Sequence, residues 1–116
     1  MFDFEKLDVY QKAKSFNSQI RNFIKTSNLD SVTRSQLSRA SFSIVLNIAE
    51  GSGRFTKPDR RNFYVISRGS VFESISILDV LKDEGSIDED LFKALYAEGE
   101  QISKILYKLI RNLESK

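Results

Sequence analysis

From Phe92 to Leu113 the chain repeats apolar or small residues at Phe92, Leu95, Gly99, Ile102, Leu106, Leu109 and Leu113, with spacings that alternate 3-4-3-4-3-4. A strand cannot use that pattern, because its side chains alternate faces with a period of two. A helix can, since it returns to one face every three or four residues. So regular a seam is the packing stripe of a bundle helix, and it requires partner helices with stripes of their own. The rest of the chain supplies three.

The first candidate runs from about Asp8 to Thr26, with Val9, Ala13, Phe16, Ile20 and Phe23 spaced 4-3-4-3. Asp8 with Gln11 makes a box-like start. Phe2 and Phe4 precede it and are expected to fold back onto the bundle, and Ser27, Asn28 and Asp30 mark the turn that follows. The second helix is expected to start near Thr33, where Thr33-Arg34-Ser35-Gln36 spells a capping box. Leu37, Ala40, Ile44 and Ile48 form its stripe, and Gly51 and Gly53 end it, as glycines do in a left-handed C-terminal cap. Thr56-Lys57-Pro58-Asp59 announces the third, because threonine caps, proline needs no donor in a first turn and aspartate complements the helix dipole. That helix is expected to reach about Lys82 and to bury Phe63, Ile66, Ser70, Ile77, Leu78 and Leu81. Ser86-Ile87-Asp88-Glu89, after Gly85, is another capping box and opens the fourth. No strand signal competes and the connections are short. The sequence therefore predicts an all-α fold, an antiparallel up-down-up-down four-helix bundle forming one domain over residues 1–116.

Composition narrows the chemistry. A chain of 116 residues with 41% hydrophobic and 29% charged residues can bury a real core, roughly two thirds of its unfolded surface. It contains no cysteine and no histidine, which removes thiolate zinc sites, the cysteine nucleophile and the usual general base. No catalytic residue, cofactor or metal is expected. No apolar run approaches the ~18 residues of a spanning helix and the N-terminus lacks a signal pattern, so a cytoplasmic setting and no membrane role are expected. The net charge of +2 offers no strong overall field, and any nucleic-acid role must come from local clustering.

One such cluster exists. Arg54, Lys57, Arg60, Arg61 and Arg68 lie in a stretch whose single acid is Asp59. Arg61, Tyr64 and Arg68 share a helix face, so two guanidiniums could hold phosphates beside an aromatic ring. The competing reading is a solvated helix start balanced by Asp83, Glu84, Asp88, Glu89 and Asp90, from the next turn or from a neighbouring subunit. Arg39, Asn47, Glu50 and Glu73 suggest two carboxylates beside an arginine, but no nucleophile, metal set or phosphate loop accompanies them, and a structural polar network is expected instead. Phe42 and Leu46 on the second helix, and Val65 and Phe72 on the third, widen the apolar surface beyond what a monomer needs and read as an oligomer interface. The alternative cover for them is the Phe2–Phe4 segment.

The segment SIVLNIAEGSGR within Gln36–Arg54, with FEKLDVYQKA at Phe4–Ala13 and RNFYVISRGSVFE at Arg61–Glu73, resembles the four-helix-bundle proteins encoded by intervening sequences in bacterial 23S ribosomal RNA genes. The resemblance spans nearly the whole chain, and NIAEG at Asn47–Gly51 is its most specific element. The chain departs from that pattern at Val45-Leu46, where Pro-Ala is common, and at Tyr10, where Trp is usual. The resemblance implies a homopentamer around a central axis and a nucleic-acid role, RNA or DNA, through the basic loop and helix start. A ring would repeat the basic cluster and multiply weak sites on a long polyanion. A related branch, the accessory proteins of diversity-generating retroelements, binds a reverse transcriptase, which implies the alternative of a protein-binding scaffold.

Overall fold

The computed structural model describes residues 1–114. Four helices, α1 (Asp8–Thr26), α2 (Ser31–Ser52), α3 (Lys57–Asp83) and α4 (Glu89–Asn112), pack antiparallel in chain order, and α1 closes against α4. A 3₁₀ turn over Asp3–Lys6 folds back against α1 and α2, where the Phe4 ring meets Tyr10 at 4.8 Å between centroids. The molecule measures 46 × 28 × 22 Å.

Three of the four predicted stripes form the core. Val9, Ala13, Phe16, Ile20 and Phe23 of α1 are buried, as are Leu37, Ala40, Ile44 and Ile48 of α2. On α4 the seam holds through Leu106, but Ile110 then replaces Leu109 in the interior. A straight helix drifts about 20° per heptad from a 3.5-residue repeat, so the last turn presents a neighbouring position.

The third stripe departs from expectation. The buried face of α3 is Tyr64, Ser67, Ser70, Val71, Ser74, Leu78 and Leu81; Ile66 is 44% exposed, and Phe63 and Ile77 sit at the margins. Serines can occupy that seam because their hydroxyls find acceptors inside it. Ser67 Oγ donates to the Ile44 carbonyl of α2 at 2.9 Å, Ser70 Oγ to Ser43 Oγ at 2.9 Å, and Ser74 Oγ to the Ser70 carbonyl at 2.9 Å. Each hydroxyl is satisfied, so burial carries little penalty and the small side chains let α2 and α3 approach closely.

The helix starts also shift. Asp8 is the first residue of α1 rather than its cap and pairs with Lys12 at 3.8 Å, while Gln11 Nε2 donates to the Glu5 carbonyl at 3.3 Å. Asp30 caps α2 three residues earlier than the Thr33 box suggests, accepting from the Thr33 amide and the Thr33 hydroxyl, each at 2.8 Å. A carboxylate holding two donors outcompetes a hydroxyl holding one. Asp88 caps α4, accepting from the Leu91 amide at 3.1 Å, and Thr56 caps α3 as expected. Neither glycine at the end of α2 is left-handed. Gly51 lies inside the helix, Gly53 has φ −90°, and the positive φ belongs to Gly85 before α4. Gly51 is instead a contact: a Cβ there would stand 2.9 Å from Tyr64 Cε1 and 3.0 Å from Phe63 Cβ.

Candidate nucleic-acid interface

The α2–α3 connection, residues 53–56, is held by hydrogen bonds on both sides. The Gly53 amide donates to the Glu50 carbonyl at 3.2 Å and the Arg54 amide to the Gly51 carbonyl at 3.2 Å. From the far side Arg60 Nε donates to the Arg54 carbonyl at 2.8 Å. That bond brings Arg54 and Arg60 together, with Lys57 between them in sequence and exposed. Arg54 also pairs with Glu50 at 2.9 Å and stacks its guanidinium over Phe63 at 4.5 Å. Among the described residues, Lys57 and Arg60 pair with no carboxylate.

Arg61 and Arg68 turn toward α4 instead. Arg61 pairs with Glu114 at 3.6 Å, and Arg68 Nε donates to the Ser103 carbonyl at 3.3 Å. The Arg68 guanidinium lies over Phe72 at 4.8 Å and Tyr107 at 5.5 Å. The predicted face of Arg61, Tyr64 and Arg68 therefore does not exist. Tyr64 is only 5% exposed, turned under Gly51 of α2, and burial pushes its hydroxyl above the ordinary 10.0, opposed by the charge of Arg60. The aromatic company that Tyr64 was expected to give Arg68 comes from Phe72 and Tyr107.

The acidic run is also not where an intrachain balance needs it. Asp83 and Glu84 end α3 and Asp88 starts α4, at the opposite end of the bundle. From Arg60 to Asp83 the helix rises roughly 35 Å at 1.5 Å per residue, several Debye lengths at physiological salt. Within one chain those acids cannot neutralise the cluster.

The polar residues of the supposed network are dispersed. Asn47 Nδ2 donates to the Ser43 carbonyl at 2.8 Å and to Ser43 Oγ at 2.9 Å, and Glu50 is taken by Arg54. Among the described residues, no hydrogen bond or ion pair joins any two of Arg39, Asn47, Glu50 and Glu73. No group of acidic side chains suited to a metal ion forms among them either. No helix there is long and apolar enough to cross a membrane.

Phe42, Leu46, Val65 and Phe72 are all exposed but occupy two sides. Phe42 lies under the Arg21 guanidinium of α1 at 4.8 Å. Phe72 lines a groove of about 650 Å³ between α3 and α4, with Arg68, Asp79, Tyr96, Glu100 and Lys104. Val65, two turns before Phe72, shares its side of α3. The folded-back N-terminal segment reaches only Leu46, across a groove with Phe2 and Phe4.

Two features escaped the sequence reading. Lys104 joins Arg68 across the α3–α4 groove, though far from it in sequence. Phe55, next to Arg54, is 101% exposed. Its signal was present, since a residue between a helix stop and a threonine cap has no helix to bury it.

The sequence profile of the family described as 23S rRNA-intervening sequence protein matches residues 5–108. Among solved structures, a protein of unknown function from the S23 ribosomal protein family of Bacteroides thetaiotaomicron superposes with a TM-score of 0.83 at 24% identity, covering 88% of this chain and 97% of its own. That likeness shows the fold. No curated protein is significantly similar in sequence.

Proposed function

The chain belongs to the 23S rRNA-intervening sequence protein family, and from that premise we propose a non-catalytic, self-associating protein that binds structured RNA through phosphate contacts. Arg54, Lys57 and Arg60 are the central contacts, with Arg61 and Arg68 flanking them toward α4. The observation that carries this reading is the separation of charge along the bundle. Lys57 and Arg60 pair with no carboxylate among the described residues, Arg54 and Arg61 hold only the exposed Glu50 and Glu114, and the acidic run from Asp83 to Asp90 stands roughly 35 Å from Arg60 at 1.5 Å per residue. Guanidinium and ammonium groups there meet phosphate without reading sequence, so the affinity is expected to be weakly sequence-specific. Self-association, as a cyclic pentamer, would repeat the patch around an axis and raise avidity.

Binding of a labelled RNA hairpin across a salt series tests the reading. Three to five phosphate contacts per chain give a slope of log affinity against log salt of roughly −2 to −4.5. A variant carrying Arg60→Glu and Arg61→Glu is expected to keep its fold and mass and to lose both affinity and slope. A double variant that binds like the wild type would remove this surface from consideration.

The α3–α4 groove favours a second reading, a scaffold for a protein partner such as a reverse transcriptase. Its mixed lining of Phe72 and Tyr96 with both charge signs suits a polypeptide. A partner that blocks RNA binding would unite the two readings; one that leaves it intact would assign the groove separately.

A further inference from the structure

We infer that Phe55 stacks on an unpaired base of the RNA whose phosphates the surrounding cations hold, an inference that rests on the RNA-binding reading above. The ring is 101% exposed, a full side chain in water with no neighbour covering it. It stands beside Arg54 and close in sequence to Lys57 and Arg60, in the chain's densest cationic stretch. Its exposure is not that of a slack loop. The Arg54 carbonyl immediately before it accepts from Arg60 Nε at 2.8 Å, and Thr56 immediately after it caps α3, accepting from the Asp59 amide at 3.3 Å. A ring presented on a pinned backbone loses little freedom on binding, so most of the stacking gain survives as affinity. Arg60 is held through Nε, which leaves its terminal nitrogens for phosphate.

An aromatic ring beside phosphate-binding cations is the combination that unpaired nucleotides need: a platform for the base and charge for the backbone. A duplex offers no free base face, and the major groove of A-form RNA is too narrow for side chains to read. The ligand is therefore an RNA loop or bulge rather than a continuous helix. An anionic bilayer also attracts a basic, aromatic loop, and vesicles are included in the test for that reason.

The wild-type chain has no tryptophan, so Phe55→Trp carries the sole indole. It is titrated with a hairpin bearing an unpaired purine loop, with a perfect duplex of equal length, and with phosphatidylglycerol vesicles. Quenching by the hairpin and not by the duplex is expected. Phe55→Ala is expected to bind the hairpin roughly five- to hundred-fold more weakly, with duplex affinity and salt slope unchanged. Because the side chain is fully exposed at the rim of the groove that Phe2 and Phe4 line, both variants should fold as the wild type does, which circular dichroism checks. Equal affinity of Phe55→Ala and wild type for the hairpin, with the salt slope intact, would overturn the stacking role and leave the phosphate contacts standing. Absence of RNA binding by the wild type at low salt would overturn both. An emission shift with vesicles alone would reassign the loop to a membrane surface and sink the inference.

Discussion

Gly51 and Gly69 are both helical glycines, and substitution is expected to move stability in opposite directions at the two sites. A Cβ at Gly51 would meet Tyr64 Cε1 at 2.9 Å and Phe63 Cβ at 3.0 Å. Phe63 Cβ moves only with the backbone, and the Tyr64 ring, buried at 5% exposure, has little room to turn away. Overpacking of this kind costs about 1–3 kcal/mol, against which alanine recovers about 1 kcal/mol of helix propensity. At Gly69 nothing lies within 4 Å, and only the propensity gain remains. Thermal unfolding should therefore show Gly51→Ala melting a few degrees below wild type and Gly69→Ala a few degrees above. A Gly51→Ala protein as stable as the wild type would mean that Tyr64 slides aside freely. The sequence identified Gly51 as special and gave the wrong reason for it. Glycine marks both a left-handed cap and a close approach, and only the position of Tyr64 across the gap distinguishes them.

Among the helices, α2 depends most visibly on its start. Asp30 takes the Thr33 amide and then the Thr33 hydroxyl, and these bonds hold its carboxyl below the ordinary 3.8. As pH falls, the unfolded chain takes up this proton before the folded one does. The cap thus contributes fully above pH 3.8 and is lost as pH drops through the lower folded value. Asp30→Ala is expected to melt lower than wild type at pH 7, with the gap closing in scans taken progressively below pH 3.8. A gap that persists unchanged in acid would show that Asp30 acts other than as a charged cap. Helices as units were legible because apolar spacing of three and four survives errors at either end. Their first residues were less so, since Asp30, Thr33 and Ser35 all offer capping oxygens and backbone geometry decides among them. The α3 seam was hidden for a related reason. Hydropathy ranks Ser67 and Ser74 below Ile66, yet hydroxyls that bond helix carbonyls pack as small core residues.

At the scale of the whole molecule, the placement of the exposed apolar residues limits how copies would join in the proposed self-association. Phe42 sits beside α1 and Phe72 faces the α4 groove, so the two mark opposite edges of a four-helix square. The sequence supplied the residues but could not separate the edges, because each helix's rotation is set by its neighbours. A two-fold dimer joins one patch to itself, whereas a ring joins two different patches and closes when the rotation between copies allows. Two apolar edges on one chain fit the second case, in which the Phe42 edge of one copy meets the Phe72 edge of the next. Phe42→Glu and Phe72→Glu, prepared separately, would then each be monomeric by light scattering. Their mixture discriminates sharply. Phe42→Glu retains a sound Phe72 edge and Phe72→Glu a sound Phe42 edge, so one intact junction forms and the mixture stops at a heterodimer. If each edge instead paired with its own kind, either variant alone would remain a dimer through its unaltered edge, and the ring would be excluded.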